Sequence, residues 1–158
     1  MSALHVTNFI AAPADIVFDL SRHILLQKKA MEKIGAQQVR GVSSGLRSLD
    51  DAVMWGLSVL KKTFVFTLSI SDYRPNEQIT EEISKSALES FRHVRHIKAI
   101  KNGTLVIDEI TYTLPEKWWA SWVDRFFLRK KINDLLVAKN KILKEYAESN
   151  KWRALLTK

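Results

Sequence analysis

The sequence contains no cysteine, and only three prolines, five glycines and four histidines. Without cysteine there is no disulfide scaffold, thiol nucleophile, thiolate-held metal or iron–sulfur cluster. The sparse glycines form neither a dinucleotide-binding fingerprint nor a P-loop, so a phosphate-cradling loop is excluded. No Pro/Gly-rich linker, repeat or low-complexity tract divides the chain, and 1–158 is read as one domain. Long apolar runs are missing too. Stretches such as Ala52–Leu60 reach about half the roughly 20 residues a bilayer-crossing helix needs. Met1–Thr7 shows no basic region leading into an apolar run, so no secretory signal is expected and the default location is cytoplasmic. His93 and His96, three apart on a strand, point to opposite faces, and no His and carboxylate set stands at chelating spacing. Neither metal nor cofactor is expected.

What is present is a chain of 158 residues, 46% hydrophobic and 27% charged. That suffices for a single buried core and argues against disorder. The net charge of +8 is uneven. From Glu116 onward eleven Lys/Arg face five acids, a net +6 that leaves +2 for the rest. Such a helix could meet phosphates of nucleic acid or lipid. Its basic residues alternate around the helix and the strands offer no exposed aromatic platform. A solvated face is the simpler reading, and nucleic acid is not expected.

Leu4–Ile10 reads as a first strand. Pro13 suits a first helical turn, where its missing N–H had no partner, and Asp15 sits at the positive end of that helix. A second short helix spans Ile24–Lys33. The period then changes to two. Strands are expected at Val39–Val42, Ala52–Leu60, Thr63–Ser71, Gln78–Lys85, Phe91–Ile100 and Thr104–Leu114, with a turn at Arg74-Pro75-Asn76.

Lys101-Asn102-Gly103-Thr104 is a hairpin signal, with Asn-Gly supplying a type I′ turn. Pairing Lys101 with Thr104 puts Phe91, His93, Arg95, Ile97, Ala99, Val106, Asp108, Ile110, Tyr112 and Leu114 on one face. Seven of these ten are apolar or aromatic, against four of ten on the other, so the first face is inward. Arg95 then stands opposite Ile110 and diagonal to Asp108. The strand before it has Glu81 in phase with Ile79 and Ile83. Ionisable groups in an apolar face imply a paired cluster, or a cavity holding water and ligand.

Past Pro115, Trp118, Trp119, Trp122, Val123, Phe126 and Phe127 fall on one helical arc. Ile132, Leu135, Leu136, Ile142, Leu143 and Tyr146 fall on another, rotated by about a third of a turn. Arg129-Lys130-Lys131 marks the change. One long helix, about 116–149 and bent there, is expected, with 150–158 as a tail.

Three stretches resemble the START-like (SRPBCC) superfamily, which includes polyketide cyclase-like and lipid-transfer proteins. They are Phe9–Leu20 with its Ala-Ala-Pro-Ala-Asp core, Gly41–Leu46 with Val53-Met54-Trp55, and Asn102-Gly103-Thr104 with Asp108-Glu109 and Leu114-Pro115. The resemblance covers nearly the whole chain. It implies an α+β helix-grip fold: a curved antiparallel sheet of six to seven strands around the long C-terminal helix, with two short helices after strand 1. It also implies a cavity between sheet and helix, and it does not specify an activity.

The expected function is binding or transport of a hydrophobic or amphipathic small molecule, without catalysis. Trp55, Tyr112, Trp118, Trp122 and Phe126 would wall the ligand, and Glu81, His93, Arg95 and Asp108 would orient its polar end. The alternatives are a cyclase- or dehydratase-like enzyme using His93 and Asp108 for proton transfer, or a lipid shuttle touching membranes through the Trp-rich helix start. The set Glu81, Arg95 and Asp108 reads equally as a structural ion-pair network. A monomer and a homodimer are both compatible with the sequence.

Overall fold

The computed structural model describes residues 1–59, 61–84, 88–116, 122 and 124–156, the side chains of 124 and 125 excepted. Expectations placed on Leu60, Lys85, Trp118, Trp119 and Val123 lie outside the described residues. Seven strands form one antiparallel sheet in the order β1-β7-β6-β5-β4-β3-β2. They are β1 (Ser2–Ile10), β2 (Ala36–Gly41), β3 (Ala52–Val59), β4 (Lys62–Arg74), β5 (Gln78–Ser84), β6 (Ser90–Ile100) and β7 (Gly103–Thr113). Neighbours in sequence pair as hairpins, except that β1 pairs with β7, Ser2 opposite Tyr112.

Two helices separate β1 from β2: α1 (Ala14–Ser21), after Pro13 at its N-cap, and α2 (Ile24–Lys33). His23 caps α2 by accepting a hydrogen bond from the Leu25 backbone N–H at 3.2 Å. That side-chain acceptor satisfies one of the orphan donors of the first turn.

After β7 the chain makes a π-helical turn, Asp124–Leu128, and continues as α3 (Arg129–Ala147). The turn coincides with the rotation of the apolar arc seen in the sequence. One additional residue per turn advances the following face by about 100°, so the bend is a wide turn within the helix. Beyond it Ile132, Leu136, Asn140, Leu143 and Ala147 are buried, at spacings of four, four, three and four, the stripe that a helix lays on a sheet. Residues 150–158, expected as a tail, include a further helix, α4 (Lys151–Leu156). Trp152, Leu155 and Leu156 pack there against the cluster built from Ile10, Val17, Leu20, Ile97, Val106 and Leu143. This apolar contact holds α4 against the core. Among the described residues no helix is long and apolar enough to cross a membrane.

The β6–β7 hairpin departs from the expected register by two residues. Ile100 stands opposite Gly103, and Arg95 lies directly opposite Asp108 instead of diagonal to it. The turn is Lys101-Asn102, and neither residue has positive φ. Gly103 is used differently: a Cβ there would sit 2.3 Å from the Ile10 carbonyl oxygen. The glycine lets β1 and β7 approach rather than forming the turn. A two-residue displacement keeps every side chain on its face. His93, Arg95, Ile97, Val106, Asp108, Ile110 and Tyr112 are accordingly all buried.

The sheet, α1, α2 and α3 thus form the START-like helix-grip architecture. The C-terminal end of β7, the N-terminal ends of β1 and β6, and the β3–β4 connection all lie at one end of the sheet, called the open end below. At the other end α3 is clamped to the first strand. Glu148 Oε1 accepts from the Ala11 N–H at 2.9 Å, and Lys144 Nζ donates to the Phe9 carbonyl at 2.9 Å.

Candidate functional site

The inward charges converge on the middle of the concave face, beneath α3. Asp108, with no exposed surface, accepts from Arg95 through two parallel bonds, Nε to Oδ1 at 2.7 Å and Nη2 to Oδ2 at 3.0 Å. This is the fork geometry in which guanidinium and carboxylate bind most strongly. Asn140 on α3 donates Nδ2 to Asp108 Oδ2 at 2.9 Å and accepts from Arg95 Nη2 at 2.9 Å. His93 Nε2 lies 2.7 Å from Asp108 Oδ1. Its other ring nitrogen, Nδ1, faces Glu81 Oε2 at 3.4 Å.

Glu81 anchors the second half. Its Oε1 accepts from Arg47 Nη1 and from Gln27 Nε2, the latter at 3.1 Å, and its Oε2 from Lys139 Nζ at 3.1 Å. Arg47 also donates to Gln27 Oε1 at 2.9 Å and to the carbonyls of Asp51 and Leu68 at 3.2 and 3.1 Å. Loop 42–51, α2, β4, β5, β6, β7 and α3 therefore meet in one connected polar cluster.

The electrostatics follow from burial and pairing. Burial by itself would raise the Asp108 carboxyl. The Arg95 charge and hydrogen bonds from His93 and Arg95 outweigh it and hold Asp108 well below the usual carboxylate range. For Glu81 burial again pushes upward, and the charges of Lys139 and Arg47 with the His93 hydrogen bond hold it well below its ordinary value. Burial lowers the Lys139 ammonium, partly offset by Glu81 beside it. Among the described residues no group of three or more His, Asp or Glu side chains is arranged to hold a metal ion. Glu81 and Asp108 face cations and amides instead.

The sequence-derived candidates separate into three sets. Glu81, His93, Arg95 and Asp108 come together in the cluster. Trp55 and Tyr112 are fully buried nearer the open end. Trp55 belongs to the apolar cluster with Met31, Leu68, Phe66, Ile83 and Phe91, and its indole Nε1 finds no hydrogen-bond partner there. Trp122 and Phe126, expected to wall the interior, are 61% and 54% exposed and pack on each other, ring centroids 5.4 Å apart. The wide turn rotates them away from the face that α3 buries. Trp118 lies outside the described residues.

Sequence reasoning missed Arg47, Gln27, Lys139 and Asn140. Asn140 was detectable, because it falls four after Leu136 and three before Leu143 on the buried stripe. Arg47 had no such signal. A loop residue carries no periodicity, and its 1% exposure is set by partners distant in sequence.

Little open space remains around the cluster. A cavity of about 10 Å³ lies where Leu20 and Ser21 of α1, Leu26 and Gln27 of α2, Lys139 and Leu143 of α3 and Arg95 of β6 meet. It has room for one water-sized atom. A larger concavity of about 400 Å³ lies at the open end, lined by Met1, Ile83, Phe91, Tyr112 and flanking strand residues.

No family profile matches this chain, and neither does any curated protein sequence. Solved structures do match. The Thermus thermophilus protein TTHA0849 is 13% identical, with 92% of this chain and 97% of that chain covered at a TM-score of 0.71. Ginseng major latex-like protein 151 from Panax ginseng is 12% identical, covering 94% and 98% at 0.65. The di-domain ARO/CYC StfQ from the steffimycin biosynthetic pathway is 14% identical, covering 92% of this chain and 50% of that one at 0.67. At these identities the likeness is one of fold. The chain has the START-like, polyketide cyclase-like helix-grip fold.

Proposed function

We propose that this protein binds a hydrophobic or amphipathic small molecule at the open end of the grip and performs no chemistry on it. The observation that carries this reading is the concavity of about 400 Å³, a size usual for small-molecule sites, where Ile83, Phe91 and Tyr112 stand beside the polar Glu82, Arg92 and Thr111, a mixed lining that suits an amphipathic ligand. In this reading the ionic cluster is the rigid floor of the site and does not itself grip the ligand.

A cyclase-like reaction is the second reading, favoured by the 2.7 Å His93–Asp108 contact and by the likeness to StfQ. It ranks lower because Asp108 has no exposed surface and its oxygens already face Arg95, His93 and Asn140. A general acid or base must reach its substrate within hydrogen-bond distance.

The test is a thermal-shift screen against fatty acids, isoprenoids and aromatic polyketides, with native mass spectrometry of the purified chain. A ligand bound only by the folded state raises the melting temperature. Phe91→Ala should then weaken the best ligand by about tenfold, the effect of losing part of one aromatic contact. A flat screen with a bare chain in the mass spectrum rejects the binding role. Turnover of a linear polyketide that His93→Ala abolishes would favour the enzyme instead.

A further inference from the structure

The charges in the buried cluster do not balance. Three cationic side chains, Arg47, Arg95 and Lys139, are joined to two carboxylates, Glu81 and Asp108. Their side chains are between 0 and 9% exposed. Gln27 and Asn140 are neutral, and a second ring proton on His93 would only add to the excess. A buried charge without a counter-charge is costly, because the surroundings cannot replace its hydration.

The surplus donors converge on one place. Arg95 spends Nε and Nη2 on Asp108 and Asn140, leaving Nη1 only a long 3.4 Å bond to Ser21 Oγ. Lys139 Nζ, with three protons to donate, gives one to Glu81. Arg95, Lys139, Ser21 and Gln27 all line the cavity of about 10 Å³, whose other walls are Leu20, Leu26 and Leu143. A small cavity with two cationic donors on one side and leucines on the other suits a compact anion, while the Ser21 hydroxyl gives its own proton to the Val17 carbonyl at 2.7 Å. It is too small for a phosphate or a lipid headgroup.

We propose that this cavity is a site for a single monatomic anion of the chloride class, held by Lys139 and Arg95. The anion neutralises the cluster and locks α1, α2 and α3 onto β6. The site is separate from the open-end concavity and does not depend on what binds there.

The probe is chloride alone. Melting of the wild-type chain is compared in sodium chloride and sodium gluconate at equal ionic strength, so that general screening cancels. Chloride should raise the melting temperature over gluconate, by about 3 °C at ten times its dissociation constant. The ³⁵Cl resonance should broaden with added protein and sharpen again on titration with bromide. In Lys139→Met, which removes the excess charge, the chloride-specific rise should disappear. Equal melting in the two salts, together with a ³⁵Cl line width that the wild-type chain leaves unchanged, overturns the proposal. Those two measurements need no variant, so a misfolded Lys139→Met does not shelter it.

Discussion

Asn140 of α3 and Asp108 of β7 are joined by a 2.9 Å hydrogen bond, 32 residues apart in sequence. It is a polar fastening at a position where the helix otherwise presents leucine and isoleucine. Asn140 also accepts from Arg95, so it fixes how far α3 is displaced along the sheet. In Asn140→Ala both partners lose a bond while remaining buried. Leaving such groups unsatisfied costs about 1–3 kcal/mol each. Urea unfolding should show a loss within about 2–6 kcal/mol, and a change under about 0.5 kcal/mol would mean that α3 is placed by its apolar contacts alone.

The two carboxylates set the acid limit of the fold. Both are held below their ordinary values, 3.8 for Asp108 and 4.5 for Glu81, in the folded state. The unfolded chain therefore binds protons that the native chain does not. Their contribution is fully present above the unfolded values and is lost as pH falls through the folded ones. Lys139 acts in the same direction at higher pH: its lowered value again leaves the unfolded chain with more bound protons, so stability rises as pH climbs towards 10.5. Melting temperature from pH 7 to pH 3 should fall steeply below about pH 4.5. Asp108→Asn with Glu81→Gln should start lower at pH 7 and flatten the acid limb. An unchanged acid limb in the double variant refutes the assignment.

Arg47 ties a loop to the core. Arg47→Met keeps the length of the side chain and removes the partner of Glu81 and the donor to two carbonyls. Breaking one side of a buried pair costs about 3–5 kcal/mol. Hydrogen exchange should rise locally at 43–51, and at Ile24, whose N–H is held by the Gly45 carbonyl. Protection unchanged in this loop would show that its backbone bonds suffice.

Gly103→Ala tests the approach of β1 to β7. The new Cβ would meet backbone at 2.3 Å, a contact that neither strand relieves by rotating a side chain. The β1 edge should fray near Ile10, with a loss of about 2 kcal/mol or more. Asn102→Ala, at a turn residue without positive φ, should cost under about 0.5 kcal/mol. Reversed magnitudes would restore the Asn-Gly turn first expected from the sequence.

These residues also mark what a single sequence conveys. The inward phase of Glu81, His93, Arg95 and Asp108 was legible because alternation survives any even shift of register. The residue directly opposite Arg95 was not, because Gly103 suited two explanations and only the neighbouring β1 backbone decides between them. Helix α2 matched its expected span because its start and Gly35 bracket it within one local segment. Trp122 and Phe126 misled because an apolar arc defines a face only while the helix keeps one pitch. Arg47 was invisible, as burial of a loop side chain is a tertiary property.

The pairing of β1 with β7 has a kinetic consequence. Ser2 stands opposite Tyr112 and Ile10 opposite Thr104, sequence separations of about a hundred residues that raise contact order and slow folding. Until β7 exists, β1 has an unpaired ladder on both edges, and the helices after it have no completed sheet to lie on. Folding of this chain should therefore finish where the sequence starts, with β1 docking as a late and rate-limiting step.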